Sequence, residues 1–80
     1  MVQVDLDARG LSPDVFKNKL MHLIKYLPLD GINKIKIHGH LNQACLALIG
    51  QASLRRIAPP SMNLTVVPEG HPRLIWHAEV

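Results

Sequence analysis

Residues 32–60 constrain this chain more than any other stretch. Ile35 and Ile37 alternate with Lys34, Lys36 and His38, the period-two pattern of a half-buried strand. Gly39 breaks that pattern, and a helix of residues 41–57 is expected to follow until Pro59-Pro60 stops it. A strand that turns through glycine into a helix must lay the helix back on the sheet. The lysine and histidine side of the strand is then left facing outward.

The flanking segments add elements of the same two kinds. Val2, Val4 and Leu6 alternate with Gln3, Asp5 and Asp7, predicting a first strand. Ser12-Pro13-Asp14 has the chemistry of a helix start: a capping hydroxyl, proline at the first helical position and an acid in the first turn. Phe16, Leu20, Leu23, Ile24 and Leu27 then form one apolar stripe, ended by Pro28 and a turn at Asp30-Gly31. Residues 62–67 alternate again. Residues 68–72 collect turn formers, and residues 73–80 read as a last strand with Leu74, Trp76, Ala78 and Val80 on one side. The expected fold is α+β, a two-layer βαβαββ sandwich. Its four-stranded mixed sheet carries both helices on one face, joined by right-handed crossovers.

At 80 residues the chain reads as one domain, residues 1–80, with a thin core. Phe16, Tyr26 and Trp76 are its only aromatics, so that core is aliphatic. Cys45 is the single cysteine, which excludes a disulfide within the chain and points to a reducing, cytoplasmic setting. The apolar run of residues 44–49 is too short to cross a bilayer, and no membrane partner is expected. The second helix is apolar nearly all round over this run. One sheet face cannot cover it, so a homodimer through the second helix is expected.

Net charge is +3, and its distribution is uneven. Lys17, Lys19, Lys25, Lys34, Lys36, Arg55 and Arg56 fall between residues 17 and 60, where Asp30 is the only acid. A basic middle suits a polyanion, or is simply a solvated surface. The glycine bend concentrates the interest. Helix N-termini offer unpaired N–H groups and the positive end of a dipole. Here Lys36, His38 and His40 surround such a start, with Asn42 and Gln43 placed either to contact a ligand or to cap the helix. His38-x-His40, even with His71 or His77, is too sparse for zinc, which takes three or four converging ligands. No metal or cofactor is expected. No serine–histidine–acid order, carboxylate pair or phosphate-cradling glycine loop appears, so the chain reads as non-enzymatic.

Residues 35–44, Ile-Lys-Ile-His-Gly-His-Leu-Asn-Gln-Ala, resemble the Alba superfamily, in which a strand ends in a basic, glycine-containing turn before the second helix. With Ala58-Pro59 and the strand Asn-Leu-Thr-Val-Val-Pro at 63–68, the likeness is greatest to the stage V sporulation protein S (SpoVS) family. The resemblance implies a small dimeric, regulatory, nucleic-acid-binding protein that contacts DNA or RNA through the phosphate backbone. Carried over, the site comprises Lys34, Lys36, His38, Gly39, His40, Asn42 and Gln43, flanked by Arg9 and Arg73. A second likeness lies at residues 6–13, Leu-Asp-Ala-Arg-Gly-Leu-Ser-Pro, which is similar to the opening of TusA-type sulfur carriers. Those proteins hold a catalytic cysteine where Ser12 stands here. The alternative it implies is a TusA-like protein without sulfur chemistry, used as a protein-interaction module.

Overall fold

The alternation of the first residues forms strand β1, Val2–Asp7, with Leu6 buried and Asp5 and Asp7 exposed. Helix α1, Pro13–Tyr26, starts where the capping chemistry places it: Ser12 Oγ accepts from the Val15 N–H at 3.4 Å. Strand β2, Ile32–His38, is followed by helix α2, Gln43–Leu48, and strand β3, Asn63–Pro68. A one-turn 3-10 helix, Pro72–Leu74, leads into strand β4, Trp76–Ala78. These elements belong to a computed structural model that describes residues 2–49 and 55–78.

The chain is α+β, with a four-stranded mixed sheet in the order β1-β2-β3-β4. β1 and β3 run parallel to the central β2, and β4 is antiparallel to β3. The register joins Asp5 to Lys36 and Asp7 to His38 on one side of β2, and Lys34 to Thr65 and Lys36 to Val67 on the other. One parity of β2 and β3 is buried from Asn33 and Leu64 onward, and β1 buries Leu6 on the same side. Ile35, Ile37, Leu64 and Val66 join Phe16, Leu20 and Ile24 of α1 and Cys45 of α2 in a single aliphatic core. Each such side chain, fully removed from water, contributes about 1.5–3 kcal/mol before entropy is counted. Asn33 lies on the same side of β2 as the isoleucines. It is fully buried, and its amide donates to the Pro28 carbonyl at 2.8 Å, tying the start of the α1–β2 connection to the sheet. The other parity, with Gln3, Asp5, Lys34, Lys36, His38, Thr65 and His77, forms the open face.

Four expectations need correction. The expected two helices become three once the 3-10 turn Pro72–Leu74 is counted, and the last strand starts at Trp76 and not at Arg73, its expected residues 79–80 lying outside the described residues. Pro72 lacks an N–H for the β3–β4 ladder and presets a helical φ, and the Leu74 N–H closes the turn on the His71 carbonyl at 2.9 Å. The second helix begins at Gln43, not at Leu41, because Asn42 is its extended N-cap and accepts from the Cys45 N–H at 2.9 Å. The expected continuation through residues 50–54 lies outside the described residues; residues 55–57 are helical. The third strand runs one residue later than expected, over Asn63–Pro68. Among the described residues no helix is long and apolar enough to cross a membrane.

Candidate functional site

The carboxyl ends of β1, β2 and β3 meet at one end of the sheet, where ligands of parallel-strand folds commonly sit. The bend after β2 is shaped by Gly39, whose φ of +100° belongs to the left-handed region that favours glycine. The bend is also covered. A Cβ at Gly39 would stand 2.5 Å from Arg9 Cγ, and one at Gly70 would stand 3.1 Å from the Gly39 carbonyl oxygen. The loop after β1 and the turn after β3 close over it from two directions.

Its charges are closed as well. Arg9 Nε and Nη2 donate to the two Asp7 carboxylate oxygens at 2.9 and 3.0 Å, and the Arg9 backbone N–H donates to Oδ1 at 3.1 Å. The guanidinium and amide bonds of Arg9 hold the Asp7 carboxyl down to about 2, and Asp7 in turn raises Arg9. His38 lies between two acids: Nε2 is 3.1 Å from Asp5 Oδ1, and Nδ1 is hydrogen-bonded to Glu69 Oε2. Hydrogen bonding to Asp5, with Glu69 behind it, outweighs partial desolvation and raises His38 above the ordinary imidazole value. The charged set at the bend is therefore three carboxylates, Asp5, Asp7 and Glu69, against Arg9 and, when it is protonated, His38. The hollow of about 410 Å³ at this end is lined by Asp7, Arg9, His38, Gly39 and Glu69, so an incoming phosphate would face two carboxylates.

The amides expected to attract an anion are partly used. The Leu41 N–H donates to His71 Nε2 at 3.2 Å, which requires the lone pair of a neutral ring at that nitrogen. The His71 ring stacks at a tilt on His40, with centroids 4.9 Å apart. Asn42 acts as a cap, Gln43 is the first residue of α2 and exposed, and α2 has only 6 residues. No family model, curated protein or solved structure matches the chain.

Of the expected site residues, the fold brings Arg9, His38, Gly39 and His40 together at the bend, with His71 completing the cluster. Asn42 and Gln43 adjoin it through the start of α2. Arg73 is exposed on the 3-10 turn, and no described contact links it to the bend. Lys34 and Lys36 stand apart, half-buried on the open face of β2. Asp5, Asp7 and Glu69 were not among the expected site residues. Their signal lies in the parallel register, which sets the polar side of β1 and the residue after Pro68 beside the polar side of β2. Both ring nitrogens of His38 are engaged by acids on opposite sides, so they do not converge on one ion. Among the described residues no group of three or more His, Cys, Asp or Glu side chains could hold a metal.

Proposed function

We propose that this chain is a small, non-enzymatic, regulatory nucleic-acid-binding protein whose phosphate contacts lie on the open sheet face, led by Lys34 and Lys36, and not within the glycine bend. One observation carries this. The bend's cations are bonded to carboxylates, whereas among the described residues no ion pair holds Lys34 or Lys36. Lys34 has Gln3 and Thr65 as lateral neighbours in the sheet, and the Thr65 hydroxyl is 2.6 Å from His77 Nδ1. Lys36 has Asp5 beside it, but one Asp5 oxygen is already committed to His38. His40, Gln43 and Arg73 are exposed and would add peripheral contacts.

The Alba-like two-layer βαβαββ layout and the SpoVS resemblance belong to this reading, as does a homodimer through α2. Ala44 and Ala47 are exposed on that helix, while Leu46 and Leu48 are half-buried. Small residues there would let a second backbone come close. The test is titration of labelled DNA and RNA at several salt concentrations, with the wild type and a Lys34→Glu/Lys36→Glu variant. A salt-dependent affinity is expected, and its log–log slope should fall by about 2 in the variant, near 0.9 per lost phosphate contact. Absence of binding at low salt sinks the reading.

The TusA-like alternative draws on Ser12, which caps α1 where those carriers hold their cysteine. Cys45 does not replace that cysteine, since it is buried in the core. Recovery of sulfur-transfer proteins in a pull-down, without nucleic-acid binding, would favour this alternative.

A further inference from the structure

The two edges of the sheet differ. β4 is described over Trp76–Ala78 and is entered through a 3-10 turn. β1 is a 6-residue edge, and among the described residues no strand lies on its outer side. Which of its amides face outward follows from one bond. The Ala8 N–H donates to the His38 carbonyl at 2.9 Å, so Ala8 points at β2. Alternate residues of a strand point their N–H and C=O groups the same way. Leu6 and Val4 therefore also point at β2, and Gln3, Asp5 and Asp7 direct theirs away from the sheet.

Beside that edge, α1 leaves a groove of about 540 Å³. Leu6, Val15 and Leu23 supply apolar surface to it, and Val15 is 43% exposed although large and apolar. Lys19 and His22 stand on its α1 wall. We propose that the outer edge of β1 is a strand-addition site for an extended peptide segment of alternating apolar and basic residues. Its apolar side chains enter the groove, and its basic ones lie on the open face beside Asp5.

The chemistry of the occupant follows from what already pairs with β1 on its inner side. There Ile35 and Ile37 lie opposite Val4 and Leu6, and Lys36 lies opposite Asp5. A strand on the outer side meets the same side chains, so the same alternation fits. The Asp5 side chain is 59% exposed and keeps acceptor capacity beyond its bond to His38. The groove carries Lys19 as well as Asp5 and Asp7, and the exposed Asp5 carboxylate is the acceptor a cation reaches from the open face. A second copy of this chain is a poor occupant. Apposing two β1 strands crowds Asp5 and Asp7 of both copies on one face, and like charges across a strand pair destabilise it.

The experiment uses the full chain and a capped peptide of alternating valine and lysine, followed by residue-resolved amide NMR. Binding is expected, with shifts and added exchange protection at Gln3, Asp5 and Asp7. Gln3→Pro removes an outward N–H without touching the β1–β2 ladder and should weaken binding at least about tenfold, a loss near 1.4 kcal/mol. Asp5→Asn, which keeps an acceptor for His38 and adds no charge beside Lys36, should weaken it as well, so the loss does not rest on the proline variant alone. Copies of the peptide N-methylated on alternate residues should split, one phase binding and the other not. The proposal is overturned if the peptide does not bind, if the shifts map elsewhere, or if both methylated phases bind as well as the parent. Equal binding of a valine–glutamate peptide overturns it too, as does a wild-type dimer in sedimentation that Gln3→Pro abolishes.

Discussion

The two halves of β2 carry the same kind of side chain to opposite effect. At its end, His38 and the nearby Arg9 are held by Asp5, Glu69 and Asp7, and the bend that follows is packed under Arg9 and Gly70. At its middle, Lys34 and Lys36 project from the same face without an ion-pair partner among the described residues. Positive charge alone therefore does not mark a binding surface. The bend uses its cations to join three strand ends, whereas the lysines at the middle of the strand have no such counter-charge among the described residues.

Substitutions at the two places should separate stability from binding. The largest effect is expected at Gly39→Ala. It combines a positive φ with a Cβ 2.5 Å from Arg9 Cγ, and it should destabilise the fold by about 2 kcal/mol in urea unfolding. Gly10→Ala has a similar φ of +74° but open space around the new methyl, so it should cost less, about 1 kcal/mol. Equal losses would show that packing over the bend is unimportant.

Next comes Lys34→Glu/Lys36→Glu, expected to lower nucleic-acid affinity at least about tenfold at low salt. Unfolding midpoints should barely move, because surface charges contribute little to stability. Arg9→Gln should leave affinity nearly intact, with only a small stability cost because the Arg9–Asp7 pair is exposed. If Arg9→Gln weakens binding as much as the lysine pair, the contrast between the two halves of β2 collapses.

Asn42→Ala should cost about 1 kcal/mol through the lost cap on the Cys45 N–H, with nucleic-acid affinity unchanged. A drop in affinity at constant stability would restore Asn42 as a ligand contact. The smallest effect is a pH dependence. His38 is raised above 6.5 in the folded chain, so its contribution is complete below that value. It fades as pH rises through the folded value. Asp7, lowered from 3.8 to about 2, contributes above 3.8 and loses that contribution as pH falls toward 2. Denaturation followed across pH should show a decline on the alkaline side of 6.5 that His38→Gln removes. A profile unchanged by that substitution would mean that the two acids do not hold the imidazolium in solution.

The sequence by itself determined the local elements. Period-two alternation was enough for β1 and β2, and the Ser12-Pro13-Asp14 start with its apolar stripe was enough for α1, because those signals are read within a few residues. It also determined which side of β2 is polar. Tertiary structure alone decided what that polar side meets. Asp5 and Asp7 read as the ordinary wet side of a strand until the parallel register set them beside Lys36 and His38. Glu69 read as one residue of a turn until β3 delivered it to His38. The partner of the Leu41 N–H was likewise out of reach, since that acceptor comes from His71, thirty positions along the chain. Hydrophobic periodicity is a property of neighbours in sequence. Charge compensation depends on through-space distance, and only the packed sheet sets that distance.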